Sequence, residues 1–248
     1  MSLLQLISPF YESLPEDRYA RKVAVGQLGW TVVPIPDGVP RVLDPARQDA
    51  RTHDRIAGEI RNMKKEDFAR KEVLPVYRMQ LRKNEACLVQ RSKRRLAIVV
   101  SHYGSRFDDV ERALRAGGKK HLQEQNIIVA PLYPHQTADH LDGFPPVMRG
   151  RIEALMYSQF FPCGRSDRPL VLESAARLDR LLPIVPNAPT WEPLQLKLVP
   201  EALDVLLALL RLRFGSPKEQ EIDDLRDLLR DALPPEHQPG GSQPASQG

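Results

Sequence analysis

The stretch Leu96 to Ser101, Leu-Ala-Ile-Val-Val-Ser, decides how the rest of the chain is interpreted. It is short, unbroken and rich in β-branched residues, and turn or charged residues bound it, which is typical of a buried strand. A second run of this kind, Ile-Ile-Val-Ala-Pro, occupies Ile127 to Pro131. We interpret the two runs as inner strands of one small sheet or barrel.

The segments before the central run predict more strands. Val23 to Ile35 predicts two strand pieces around a Gly-Gln-Leu-Gly break, and a hairpin is predicted from Val76 to Leu81 and from Ala86 to Gln90. These hairpin strands favour an α+β fold with a small antiparallel β-barrel. The alternative is an α/β fold, because Leu96 to Ala130 is long enough for a parallel strand-helix-strand unit.

Helices are expected to be inserted between the strands and to follow them. Arg47 to Lys71 has apolar residues at helical spacing and predicts an amphipathic helix. A capping box predicts that another helix begins at Asp108. A strongly apolar helix from Pro200 to Phe214 and a second one that runs to about Leu233 are predicted to form a hairpin. Arg151 to Phe161 fits either a strand or a helix, and we favour a strand.

The predicted organisation is a β-barrel-like domain with helical insertions over 1–195, the helical hairpin packed on it over 196–233, and a disordered tail over 234–248. Proline, glycine, serine and glutamine dominate that tail. Of the 248 residues, 42% are hydrophobic, which is enough to build a core.

Composition and motifs narrow the classes of function. The net charge of +4 permits an acidic partner. The two cysteines, Cys87 and Cys163, have no metal-binding spacing and predict free thiols in a reducing, cytoplasmic location. No apolar run is long enough for a membrane span. Gly-rich phosphate loops, Gly-x-Ser-x-Gly elbows and His-Glu-x-x-His helices do not occur, so we expect no metal or other cofactor.

Three histidines are candidates for a metal-binding or catalytic role. His135 and His140 lie five residues apart with Asp139 beside His140, but one such pair is weak support for a metal site, and surface histidines are favoured. His102 directly follows the central strand, and histidine is the residue type that most often acts as a general base. Which of the three is functional, if any, stays open.

The densest positive run, Arg91-Ser92-Lys93-Arg94-Arg95, is expected on the turn that enters the central strand. With Arg78, Arg82 and Lys83 it predicts a surface that contacts the phosphates of RNA or DNA. The predicted nucleic-acid-binding residues are Arg78, Arg82, Lys83, Arg91, Lys93 and Arg94.

Three segments between Arg94 and Pro183 resemble the PemK/MazF group of toxin ribonucleases. They are Arg95 to Ser101, Ile127 to Pro134 and Arg177 to Leu181. The resemblance implies an SH3-like β-barrel and a diverged endoribonuclease of a toxin–antitoxin system. The catalytic arginine of the group maps onto Arg95 or Arg94, and Tyr133 stands where the group has a catalytic threonine. In such a nuclease Arg95 would stabilise the phosphate, and His102 or His135 would move protons.

The alternative function is that of a non-catalytic, protein-interaction subunit of a defence or plasmid-maintenance assembly. The leucines from Leu203 to Leu212 cover nearly the whole circumference of their predicted helix. This pattern favours a protein partner or a homodimer. A helix that fills the core of its own domain would have the same pattern.

Overall fold

The structure, a computed structural model, describes residues 1–15, 23–36, 38–46, 57–68, 84–102, 109, 112–113, 116, 126–138, 141–217 and 219–238. These residues fall into two compact units, one within Met1–Val32 and Arg94–Gly248 and the other within Val33–Lys93. The fold is α+β with mostly antiparallel sheets, as predicted.

Thirteen strands are found in the described residues. In chain order they are β1 (Tyr11–Ser13), β2 (Gln27–Pro34), β3 (Arg41–Ala46), β4 (Ala57–Asn62), β5 (Cys87–Val89), β6 (Ser92–His102), β7 (Ile127–Pro134), β8 (Phe160–Cys163), β9 (Ser166–Asp167), β10 (Leu170–Val171), β11 (Ser174–Arg177), β12 (Leu182–Ile184) and β13 (Trp191–Leu198). The α-helices are α1 (Leu3–Leu6), α2 (Pro146–Glu153), α3 (Pro200–Arg213) and α4 (Gln220–Asp231). Short 3₁₀ helices cover Lys65–Phe68 and Pro235–His237.

The main sheet has the strand order β1-β13-β2-β6-β7-β11-β8, and β12 also pairs with β7. At its centre β6 and β7 are antiparallel, with Ala97 opposite Pro131 and His102 opposite Ile127. The two apolar runs are therefore neighbours, as predicted. The alternative of a parallel strand-helix-strand unit is wrong, because these strands run in opposite directions.

The described strands of the main sheet do not close into a barrel, since backbone pairing ends at β1 and at β8. Side chains nevertheless bring these two edges together. The Tyr11 hydroxyl donates a 2.9 Å hydrogen bond to the carbonyl oxygen of Gly164, and the rings of Phe10 and Phe161 are 5.9 Å apart. The sheet therefore curls until its edges meet, without backbone pairing between the two edge strands that the structure describes.

One face of the sheet packs against the predicted helical hairpin, α3 and α4. Leu206, Leu209 and Leu229 of the hairpin are fully buried in one core with Ile98 and Phe161. The predicted and observed bounds of α3 agree to within a residue because Pro200 fits its first turn and Gly215 follows its end in a left-handed conformation.

The other face of the sheet has a smaller core of its own. Ala97 and Val99 of β6 pack there with Trp191 of β13 and with residues of β7. Since successive residues of a strand point to opposite faces, β6 divides its apolar run between the two cores. Both faces are thus covered at the middle of β6, and this explains why its sequence is apolar without alternation.

Three predicted elements are wrong at least in part. Part of the predicted helix from Arg47 to Lys71 is strand β4, which pairs with β3 at all six positions, so sheet pairing overrides the helical spacing. Of the predicted Gly-Gln-Leu-Gly break, only Gly26 lies in a turn, and the continuous strand β2 begins directly after it at Gln27. The favoured strand from Arg151 to Phe161 is the end of α2 followed, after a turn, by the start of β8.

In the second unit, β4, β3 and β5 form a three-stranded antiparallel sheet. Arg61 of β4 contacts Asp44 at 2.9 Å and the buried Asp67 at 2.6 Å. The predicted strand from Val76 to Leu81 and the predicted helix start at Asp108 lie outside the described residues, as do residues 239–248 of the predicted tail.

Candidate functional site

The pairing of β6 with β7 brings two of the predicted catalytic residues together. The Arg95 guanidinium lies 4.3 Å from the centroid of the Tyr133 ring, which is a cation–π contact. Both side chains are half-buried. The antiparallel register causes this contact, because Ala97 stands opposite Pro131 and the positions two residues outward therefore face each other.

Arg177 of β11 completes what we call the Arg95 cluster: Arg95, Tyr133 and Arg177. Its guanidinium lies 5.6 Å from the centroid of the Tyr133 ring and 5.2 Å from that of Phe160. Asp179 binds this guanidinium with two hydrogen bonds, of 2.7 and 2.5 Å. That contact lowers the pKa of the Asp179 carboxyl group, so Arg177 is paired with a carboxylate.

Arg95 differs from Arg177 in its electrostatic partners. Among the residues that the structure describes, no carboxylate pairs with Arg95, and its one specific contact is the Tyr133 ring. A guanidinium has five N–H donors in a planar fork, and stacking on a ring leaves these donors free to bind in the plane. The Arg95 cluster therefore has cationic hydrogen-bonding capacity that the described protein groups do not fill.

Arg94 lies on the opposite face of β6 from Arg95. It forms an ion pair with Glu192 and lies 5.4 Å from the centroid of the Trp30 ring. From Ser92 onward the basic run is part of strand β6 rather than the predicted turn, and alternation along the strand separates neighbouring cations. The run therefore does not form one continuous surface.

The Arg95 cluster includes none of the other predicted nucleic-acid-binding residues that the structure describes. Arg91 and Lys93 are exposed and belong to the second unit. Arg78, Arg82 and Lys83 lie outside the described residues. Of the three predicted residues that the structure describes, Arg94 alone shares the larger unit with Arg95.

His102 is at the far end of β6 from the Arg95 cluster. It pairs with Ile127, whereas Arg95 lies level with Tyr133 at the other end of β7. Seven residues of extended chain span about 20 Å, so the His102 imidazole cannot act on a group bound at Arg95. Arg95 and His102 are close in the sequence, but an extended strand places residues at this separation far apart in space.

His135 lies two residues after Tyr133 but is buried, with only 2% of its surface exposed. Its ring packs against Phe144, and neither ring nitrogen has a hydrogen-bond partner among the residues that the structure describes. Burial, and then the positive charge of Arg149, lower the pKa of His135 to about 4, although Glu153 opposes them. The imidazole is therefore neutral at pH 7, and it is a core residue rather than the predicted surface histidine.

This buried imidazole predicts a specific dependence of stability on pH. The unfolded chain binds the proton near pH 6.5 and the folded protein near pH 4, so acidification through this window favours unfolding. Between pH 7 and pH 4 we expect the wild type to lose roughly 2 to 3 kcal/mol more unfolding free energy than His135→Met, which keeps similar volume without a titratable group. Urea unfolding at several pH values measures the difference. Parallel pH profiles of the two proteins would contradict this account.

Other groups that could carry chemistry are scarce in the described part of the chain. Within the described ranges, no three His, Cys, Asp or Glu side chains are placed to hold a metal ion, and His140 and Asp139 fall outside those ranges. Cys163 is fully buried, and burial raises the pKa of its thiol to about 12, so the thiolate is not available as a nucleophile. None of the helices that the structure describes has the length and apolar character to cross a membrane.

Comparisons of the chain with protein-family models, with curated proteins and with solved structures found no match.

Proposed function

We propose that this protein binds single-stranded nucleic acid, with RNA as the first candidate, through the Arg95 cluster. The observation that supports the proposal is the Arg95 guanidinium, which stacks on Tyr133 and has no carboxylate partner among the described residues. Phosphate oxygens are the ligands that a guanidinium fork fits best. Arg177, 5.6 Å from the same ring, is neutralised by Asp179, so Arg95 carries the unpaired positive charge of the cluster among the described residues.

Tyr133 has two functions in this proposal. Its ring fixes the orientation of the Arg95 guanidinium, which reduces the conformational entropy that binding would otherwise cost. Its half-buried edge and hydroxyl group remain available to a base or a phosphate. The proposed site therefore combines a phosphate contact with an aromatic contact, as single-stranded nucleic acid requires.

The likeness to the PemK/MazF toxins is part of this proposal, because the two best-matched segments, Arg95 to Ser101 and Ile127 to Pro134, are neighbouring strands. We propose binding rather than cleavage. A ribonuclease needs proton transfer within hydrogen-bond reach of the phosphate. His102 is about 20 Å from Arg95 by strand length, and His135 is buried. A tyrosine in the place of the threonine of the toxins agrees with binding without catalysis.

The protein-interaction alternative has lost its main support. The leucines that suggested it belong to α3, where Leu206 and Leu209 are fully buried and Leu203 and Leu207 pack against the same core. The composition of this helix therefore follows from its place in the core of the larger unit.

The test compares two neighbouring arginines. Arg95→Gln is expected to weaken binding of a fluorescein-labelled, 12-nucleotide single-stranded RNA by roughly ten- to hundredfold, which is the value of a charge-assisted hydrogen bond. Arg94→Gln removes the same charge from the opposite face and is expected to change the affinity less than about twofold. Fluorescence anisotropy titrations at one salt concentration measure both, and the same oligonucleotide as DNA distinguishes the two nucleic acids.

The pair of variants controls for net charge, because both substitutions remove one positive charge from residues that are adjacent in sequence. Equal losses for Arg94→Gln and Arg95→Gln would show that any binding is diffuse, and the proposal would be wrong. Wild-type protein that does not bind either oligonucleotide at low salt would also overturn it. Gel analysis of the RNA after the titration detects cleavage, and cutting by the wild type but not by Arg95→Gln would show that the site is catalytic.

A further inference from the structure

Arg95 and Arg177 contact the same ring from the two strands that flank it. Tyr133 is on β7, and the order of the sheet places β6 and β11 beside β7. The Arg95 guanidinium lies 4.3 Å from the ring centroid and the Arg177 guanidinium lies 5.6 Å from it. Because each nucleotide of a single strand carries one phosphate, two neighbouring guanidinium groups offer contacts to two phosphates. The two arginines differ, however, in what else they bind.

A carboxylate already occupies the guanidinium of Arg177. Its Nε and Nη2 atoms donate hydrogen bonds of 2.7 and 2.5 Å to the two carboxylate oxygens of Asp179. A guanidinium binds a phosphate through the same kind of two-point contact. Asp179 therefore fills one edge of the Arg177 guanidinium and cancels its charge, so Arg177 attracts a phosphate far less than Arg95 does.

The turn after β11 holds Asp179 in this position. The backbone N–H of Arg180 donates a 3.2 Å hydrogen bond to the carbonyl oxygen of Arg177, and the backbone N–H of Leu178 donates one of 2.9 Å to that of Gln159. The Leu178 side chain is buried in the core, which fixes the turn. The ion pair itself stays partly open to solvent, because 23% of the Arg177 side chain and 21% of the Asp179 side chain are exposed. A ligand at the Arg95 cluster therefore meets the carboxylate as well as the guanidinium.

We propose that Asp179 limits the Arg95 cluster to one phosphate contact and thereby keeps its affinity for RNA low. The inference rests on the proposed function, since it concerns the same site. A phosphate at Arg177 would have to displace Asp179 or lie beside it, and the repulsion between two negative groups opposes both. Since affinity differences between related complexes lie mainly in the dissociation rate, one contact in place of two also shortens the lifetime of the complex.

Asp179→Asn tests the proposal, because it keeps the size of the side chain and removes its charge. We expect this variant to bind the fluorescein-labelled, 12-nucleotide RNA about three- to tenfold more tightly. We also expect the slope of log affinity against log salt concentration to become steeper by about 0.7, which is the value of one added phosphate contact to a single strand. An ion pair that only braces the turn would not change this slope.

The matched control is Asp167→Asn. Asp167 pairs at 2.9 Å with Arg165, which likewise precedes it by two residues, but neither belongs to the Arg95 cluster. This control removes the same charge and is expected to change the RNA affinity less than about twofold and to leave the slope at the wild-type value. Equal effects of the two asparagine variants, or no effect of Asp179→Asn, would overturn the inference.

Arg177→Gln decides the question if Asp179→Asn does not fold. It leaves the Asp179 charge uncompensated, so we expect binding to weaken about three- to tenfold without a shallower slope. A slope that falls by about 0.7 would show that Arg177 already contacts a phosphate, and the inference would be wrong. Loss of the inference alone is recognisable, because Arg95→Gln would still weaken binding. A wild-type protein that does not bind the RNA would overturn the proposed function and this inference together.

Discussion

Replacement of Gly29 by alanine is expected to lower the unfolding free energy of the larger unit by about 3 kcal/mol. Gly29 is the third residue of β2, and the Trp191 ring occupies the space that a side chain at this position would need. A Cβ at this position would overlap Trp191 Cζ2, and it would lie 2.6 Å from Trp191 Cη2 and 2.8 Å from the carbonyl oxygen of Glu192. Neither can withdraw easily, because Trp191 is 96% buried and the carbonyl belongs to the backbone.

Urea unfolding followed by tryptophan fluorescence measures this loss, and the matched control is Gly164→Ala. The added methyl group at Gly164 would make only ordinary contacts, so the variant should be neutral or gain up to about 1 kcal/mol from reduced entropy of the unfolded chain. If Gly29→Ala were as stable as Gly164→Ala, the packing of Trp191 on β2 described above would be wrong.

Leu209→Ala is expected to cost about 2 to 5 kcal/mol of unfolding free energy, since it removes a fully buried side chain from α3. The same substitution would cost much less if α3 were a surface for a partner protein. The measurement is the same urea titration, and the result therefore separates a core helix from a docking helix.

Leu228→Ala is the control for this second prediction. Leu228 lies on α4 with 53% of its surface exposed, and its truncation should change the unfolding free energy by less than about 0.5 kcal/mol. Similar small effects for both leucines would mean that α3 does not pack as described.

The sequence was sufficient to predict the centre of the fold. The β6 and β7 runs are buried on both faces and carry an unbroken apolar pattern, which local reasoning detects. The hairpin was predictable because apolar residues at helical spacing extend over both α3 and α4, although α4 begins at Gln220 and not, as the predicted cap at Ser216 implied, after Ser216. Gly29 and β4 were not predictable. Position 29 requires glycine because of the ring of Trp191, which is 162 residues later in the sequence. The segment of β4 becomes a strand because it pairs with β3.

The candidate site was predicted in part. Arg95 and Tyr133 were both named, but their contact follows from a strand register that the sequence does not specify. The separation of Arg94 from Arg95 could have been predicted, because alternation places adjacent strand residues on opposite faces. Arg177 joins the cluster through β11, and only its loose match to the toxin group had drawn attention to it.

The salt dependence of RNA binding tests the central claim most directly, which is that Arg95 contacts a phosphate. Each phosphate contact to a single strand contributes about 0.7 to the slope of log affinity against log salt concentration. We predict that Arg95→Gln reduces the magnitude of this slope by about 0.7, and that Arg94→Gln leaves it at the wild-type value. A slope that Arg95→Gln does not change, or that both variants change equally, would contradict the account.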